Sequence, residues 1–215
     1  LYDSANKTMK TDKFILDACC GPRMMWFDKQ NPLAMFMDIR DEDAHYATDE
    51  FELHPDGVGD FRNMPFEDAT FRLVVFDPPH LVRLGANSYT AHKYGKLFSS
   101  WETDLKQGFD ECMRVLKPEG VLIFKWKETQ IAASRIIKIF GVNPLFGHKS
   151  GKNSKTQWMC FLKSAINVCL NRFKHGFNDT AKRHTDTRDL RRANRLGVAA
   201  YAIPALSAKR KGFNR

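Results

Sequence analysis

Four carboxylates, Asp17, Asp38, Asp60 and Asp77, stand at the ends of short apolar runs and are the residues best placed to hold a ligand. The runs 14–18, 33–37 and 71–76 have the length and composition of buried strands, and a weaker one lies within 54–61. The run 71–76 must stop at Asp77, because Pro78 and Pro79 cannot donate to a central ladder. In an open parallel sheet, ligands bind beyond the carboxyl ends of the strands. Carboxylates on that edge accept hydrogen bonds from an ammonium group and from ribose hydroxyls, which suits a nucleoside-like ligand. Any one of them taken alone reads slightly better as a helix cap. Four at equivalent strand ends favour the ligand.

Other site chemistries find less support. The five cysteines (Cys19, Cys20, Cys112, Cys160 and Cys169) contain no C-x-x-C pair, which argues against a zinc site, and no metal is expected. Adjacent Cys19 and Cys20 are poorly placed for a disulfide framework, so the thiols read as reduced and the protein as cytoplasmic. Residues 147–152 form a basic, glycine-containing turn without P-loop spacing, which excludes nucleotide hydrolysis of that kind. No apolar run approaches the ~20 residues that span a bilayer, and the first residues lack the regions of a secretory signal. No membrane partner is expected.

Positioning the four carboxylates requires strands that alternate with helices. The pattern predicts a helix over 99–116, with Phe109, Cys112, Met113 and Leu116 on one face and a stop at Lys117-Pro118-Glu119-Gly120. It then predicts a strand over 121–126, an amphipathic helix over 131–140 closed by Gly141, and strands over 143–147 and 156–162. The sum is an α/β fold: a Rossmann-like, seven-stranded, mostly parallel sheet with helices on both faces. Past residue 163 the alternation stops. Residues 165–173 read as a short helix, 180–194 are charge-dense, and 199–206 are apolar around Pro204. The expected organisation is an N-terminal extension over 1–9, a catalytic domain over 10–163, and a basic tail over 164–215, loosely ordered or helical. Met9 is an alternative start.

Several of these segments resemble known motifs. Ile15-Leu16-Asp17-Ala18-Cys19-Cys20-Gly21 resembles the first motif of class I S-adenosylmethionine-dependent methyltransferases. Within it, Asp17-x-x-Cys20-Gly21 is similar to the Asp-Pro-Phe-Cys-Gly of amino-methyltransferases of nucleic acids. Asp77-Pro78-Pro79-His80 resembles the (Asp/Asn/Ser)-Pro-Pro-aromatic motif of enzymes that methylate exocyclic or side-chain amide nitrogens. Residues 114–124 resemble a common methyltransferase segment before the fifth strand. The resemblance is to small phage and bacterial enzymes and covers roughly residues 10–163. It implies S-adenosylmethionine as cofactor, with Asp17 and the backbone of Ala18, Cys19, Cys20 and Gly21 near its methionine part. Asp38 would hold the ribose hydroxyls, and Asp60 and Phe61 would face the adenine. One departure stands out: Arg23, after Pro22, replaces the family's third glycine, and only a short helix over 24–29 is expected to follow.

The resemblance also implies a reaction. A conjugated amino nitrogen is weakly nucleophilic because its lone pair is delocalised. Asp77 and the Pro78 carbonyl would accept its two hydrogens, Pro79 would fix the turn, and His80 would stack on the flat base, so that positioning and electrostatics lower the barrier. Residues 81–100 form either a plain exposed loop or a cover whose Lys93, Tyr94 and Lys96, with Trp101, grip a phosphate or base. Trp126 either lines the pocket or belongs to the core.

Charge bears on the substrate. Residues 164–215 hold 12 Lys and Arg against 3 Asp and Glu, whereas residues 1–163 are balanced. Such a tail is either a solvated extension or a contact for nucleic acid. The leading expectation is methylation of an amino nitrogen in nucleic acid, DNA ahead of RNA, at adenine N6 or cytosine N4. A protein glutamine or small molecule is the alternative substrate. A non-catalytic binding protein of the same fold, suggested by Arg23, is the third reading.

Overall fold

The structure is a computed structural model and describes residues 8–46, 49–85 and 88–164. The expectations for the tail, including the helix over 165–173 and Cys169, lie outside the described residues, as does most of the N-terminal extension. Among the described residues, nine strands and three helices follow in order: β1 (Ile15–Asp17), β2 (Ala34–Asp38), β3 (Glu42–Tyr46), β4 (Asp49–Leu53), β5 (Gly57–Val58), β6 (Phe71–Phe76), α1 (Tyr89–Tyr94), α2 (Trp101–Val115), β7 (Leu116–Lys127), α3 (Ala133–Phe140), β8 (Phe146–Lys149) and β9 (Thr156–Leu162).

Seven of the strands form one sheet in the order β5-β2-β1-β6-β7-β9-β8. β1 pairs in parallel with both β2 and β6, and chain order reverses across it, so the crevice of an open α/β sheet opens at its carboxyl end. β9 runs antiparallel to both β7 and β8. Among the described residues no helix is long and apolar enough to cross a membrane.

Alternation along the strands divides the core between two faces. Leu16, Met35, Met37, Val74, Phe76, Leu122, Phe124 and Trp126 pack with α2 and α3. The stripe Leu105, Phe109, Cys112 and Val115 buries α2, and Phe109 stacks on Phe140 of α3 at 4.2 Å. Glu102 and Asp104 in the first turn of α2 and Arg114 in its last complement the helix dipole. On the other face Ile15, Cys20, Ala34, Phe36 and Trp26 form a smaller cluster.

Several local results differ from the sequence expectation. Residues 117–120, read as a stop and turn, belong to β7 because Phe71 of β6 pairs with Leu116 ahead of them, and the strand expected over 143–147 lies at Phe146–Lys149. Residues 24–29 form turns in place of a helix. Asn31-Pro32 closes the segment after six residues, and the indole of Trp26 is held on β1 by a hydrogen bond instead of joining a helical stripe. An antiparallel hairpin, β3–β4, follows β2. Its strands are too acidic to read as strands, and Leu53, fully buried, anchors it. The short α1 lies within the segment read as a loop.

Gly108 is the tightest point of the helix layer. A Cβ there would stand 2.5 Å from Cδ2 of Phe61 and 2.8 Å from Cζ of Phe76. Gly108→Ala is therefore expected to destabilise the fold by about 1–3 kcal/mol, as overpacking of a filled core does. Urea unfolding checks this, and an unchanged midpoint would show that Phe61 yields without cost.

Candidate active site

The carboxyl ends of β1, β2 and β6 meet at a cavity of about 730 Å³, within the range of small-molecule sites. The segment after β1 is held there by the neighbouring strands. The Ala18 N–H donates to the Val75 carbonyl at 3.0 Å, and the Cys20 N–H to the Met37 carbonyl at 2.9 Å. Gly21 turns the chain in the left-handed region (φ 47°) and donates its N–H to Oδ2 of Asp38 at 2.9 Å. A Cβ at Gly21 would meet no atom within 4 Å, so the backbone here faces open space. Ala18, Cys19, Cys20, Gly21 and Asp38 all line the cavity.

Asp17 occupies a different position from its companions. It is fully buried and is not part of the cavity wall. Trp26 Nε1 donates to its Oδ2 at 2.7 Å, and the Cys19 N–H to its Oδ1 at 3.3 Å. Burial pushes its carboxyl up to about 7, against the lowering effect of these two donors, with Asp77 and Asp38 adding to the rise. Asp17 thus fixes the loop from behind.

Asp60 and Phe61 line the cavity beside Arg62. Burial would raise the Asp60 carboxyl, but the Arg62 guanidinium, 2.6 Å from Oδ2, holds it below the usual range. Arg62 also reaches Asp104 of α2 at 3.2 Å. Arg114 secures the following segment by donating to the carbonyls of Met64 and Phe66.

Arg23 does not occupy the cavity. Its guanidinium lies 4.0 Å over the Phe36 ring and donates to the carbonyls of Lys29 and His54. The residue that replaces the third glycine is therefore turned away from the ligand space. Its φ of 54° is the left-handed conformation that glycine adopts without strain.

Asp77, Pro78, Pro79 and His80 line the same cavity from the end of β6. Burial raises the Asp77 carboxyl, and the ammonium of Lys125, 2.5 Å from Oδ2, opposes that rise. Oδ2 is thereby engaged by the ammonium. Burial, with Lys127 and Lys125 nearby, lowers His80 to about 4, so its ring is neutral at pH 7.

The residues expected to grip a substrate separate. Tyr94 and Lys96 line the cavity. Lys93 is not in the wall; its Nζ donates to the Tyr89 hydroxyl at 2.8 Å. Trp101 lies under the guanidinium of Arg135 at 4.9 Å, outside the wall. Trp126 is fully buried, and its Nε1 donates to the Ile131 carbonyl. Its neighbours Lys125 and Lys127 project to the opposite side of β7 and line the cavity, together with Thr156 and Trp158 of β9. Strand alternation was the signal available for this. Once Trp126 is given to the core, Lys125 and Lys127 must face the other way.

Arg40 braces the rim by donating to the carbonyls of His92 and Lys93 at the end of α1. The described residues include no group of three or more His, Cys, Asp or Glu that could hold a metal. Cys19, Cys20, Cys112 and Cys160 are free thiols, and burial raises all four.

No protein-family model matches the chain, and no curated protein matches it. Among solved structures it is similar to a protein from Pyrococcus horikoshii, at 18% identity over 74% of this chain and 85% of that one, with a TM-score of 0.49. It is also similar to a SAM-dependent methyltransferase from Methanosarcina mazei (11% identity, 76% and 98% of the two chains, TM-score 0.43). A TehB-like SAM-dependent methyltransferase from Corynebacterium glutamicum gives 13% identity over 75% and 89%, with a TM-score of 0.44. The strand order β5-β2-β1-β6-β7-β9-β8, with β9 alone reversed, makes this the Rossmann-like class I methyltransferase fold.

Proposed function

We propose that this chain is an S-adenosylmethionine-dependent methyltransferase that acts on an exocyclic amino nitrogen of DNA or RNA, adenine N6 or cytosine N4. One observation carries the reading. Asp77-Pro78-Pro79-His80 and the 18–21 loop with Asp38 line a single cavity at the point where the strand order reverses.

The donor set fits the cofactor. Asp38 retains acceptor capacity for ribose hydroxyls, because each carboxylate oxygen accepts two bonds. Phe61 offers a ring to the adenine beside Asp60, whose two oxygens are engaged by the backbone N–H and guanidinium of Arg62, and the open backbone at Gly21 admits the methionine part. Bound there, S-adenosylmethionine supplies an electrophilic methyl group on a sulfonium centre.

The protein's own residues do the rest. Oδ1 of Asp77 and the Pro78 carbonyl accept the two hydrogens of the target amine and aim its lone pair. The ring of neutral His80 supports the base. Once nitrogen is alkylated it sheds a proton, and Asp77 Oδ1 is the base in place to take it. Catalysis of this kind rests on orientation and preorganised charge. A duplex target has to be flipped out of its stack to reach the cavity.

The decisive experiment offers labelled S-adenosylmethionine with DNA, RNA and cell protein in parallel. Label in nucleic acid at an amino nitrogen supports the reading. Label only in protein assigns the same motif to a glutamine amide, and no transfer despite measured cofactor binding leaves a binding protein.

Lys125 gives the reaction a pH signature. Its charge favours the ionised form of Asp77, so Lys125→Met removes the main influence that lowers this carboxyl. The pKa then climbs, and the limb of kcat/KM that rises with pH is expected to move to higher pH. A limb that stays in place would mean that Asp77 ionisation does not control the rate.

A further inference from the structure

The basic turn near residue 150 has no part in the reaction just described, yet the fold brings it to the mouth of the cavity. It joins β8 to β9, and the register sets Lys127 beside Thr156 and Lys125 beside Trp158. The Glu128 N–H donates to the Lys155 carbonyl at 2.8 Å, which ties the turn to the end of β7. Lys127, Thr156 and Trp158 line the cavity, Lys155 is exposed next to Thr156 in the chain, and Lys152 is exposed in the same turn.

The charge on this rim is only partly compensated. Residues 146–156 contain three lysines and His148 and no acidic residue. Glu128 approaches Lys149, at 3.8 Å. No carboxylate among the described residues pairs with Lys127, Lys152 or Lys155. Like charges so arranged repel one another and attract an anion laid along them. The rim also carries a flat platform: Lys125 stands 5.6 Å over the Trp158 ring, whose Nε1 donates to the Ser150 hydroxyl at 3.1 Å. A basic surface beside an aromatic ring is the kind of arrangement that binds a single strand by phosphate contact and base stacking. An acidic peptide would use the charge but not the ring.

We infer that Lys127, Lys152 and Lys155 form a phosphate track that holds one nucleic-acid strand with its target base in the cavity beside Asp77. The inference rests on the amino-nitrogen reading for the base in the pocket; the track itself rests on charge and position.

The test uses the full chain, saturated with S-adenosylhomocysteine, and a 12-nucleotide single strand followed by fluorescence anisotropy across a salt series. Released counterions set the slope of log K against log salt at about 0.7 per phosphate contact on single strands, so K127A/K152A/K155A should reduce the slope by about 2. Any contribution of residues 164–215 is common to both chains and drops out of the difference. S-adenosylhomocysteine affinity should be unchanged in K152A/K155A, which shows that the exposed turn is altered without harm to the fold. An unchanged slope, or no binding of the strand by the parent chain, overturns the track. Equal loss of binding to polyglutamate overturns it in favour of an acidic protein partner. Methyl transfer to nucleic acid, measured on the parent chain, separates the two ideas. A reduced slope without transfer keeps the track and removes the reaction; transfer with an unchanged slope does the reverse.

Discussion

Asp77→Ala is expected to lower kcat for methyl transfer by about 10²–10³-fold, the usual cost of removing one preorganised group that acts on the transition state. Cofactor affinity should hardly move, because Asp77 follows β6 while Asp38 ends β2, with β1 between them. The variant should fold. Lys125 loses its partner, but its side chain is 29% exposed and can turn to water. Asp77→Asn sharpens the comparison: it keeps an acceptor oxygen and removes the charge. If acceptance of a hydrogen bond is the larger contribution, Asn should recover part of the rate. Single-turnover transfer together with calorimetric titration of S-adenosylmethionine measures both quantities. Loss of cofactor binding along with rate would make Asp77 a structural residue and remove the carboxylate from the chemistry.

The second large effect concerns Asp38. Its Oδ2 accepts the Gly21 N–H at 2.9 Å and its Oδ1 the Arg40 N–H at 3.1 Å, so one carboxylate shapes the 18–21 loop and, in the proposed function, also presents acceptors to the ribose. Hydrogen bonds to a charged group are worth about 1.5–3 kcal/mol each, and 1.4 kcal/mol is tenfold in affinity. Asp38→Ala is therefore expected to weaken S-adenosylmethionine binding by about 10²-fold or more if two ribose contacts are lost. It should also destabilise the apo fold by about 1–3 kcal/mol, because the Gly21 N–H loses its acceptor. Asp38→Asn retains one acceptor oxygen and should fall between the two. Affinity equal to the parent would show that the ligand does not use this carboxylate.

Much of the frame was legible in the residue pattern. β6 ends where Pro78 and Pro79 forbid a further ladder bond, and β9 covers the predicted 156–162. α2 falls inside the predicted 99–116, because Leu105, Phe109 and Cys112 repeat at helical spacing. The third strand was visible only faintly, and β5 is two residues long. The β3–β4 hairpin was not legible. Glu42-Asp43 and Glu50 offer no apolar alternation, and such a hairpin exists because Leu53 finds a buried site and ladder bonds form across it. His54 adds to this, with its ring nitrogens 2.9 Å from both Asp41 and Asp43.

The site divides in the same way. Residue type and position along the strands were enough to place Asp38, Asp60, Asp77 and the 18–21 backbone on one edge, because a parallel sheet aligns the carboxyl ends of its strands. Direction and pairing were not available from the chain alone. Only the packed structure sets Trp26 on Asp17, turns Arg23 onto Phe36, sinks Trp126 into the core, and brings Lys125 to Asp77 across 48 residues. Local pattern records which face a residue prefers, through burial of apolar surface. Which partner meets a charge depends on the register of strands distant in sequence, and that is decided when the sheet closes.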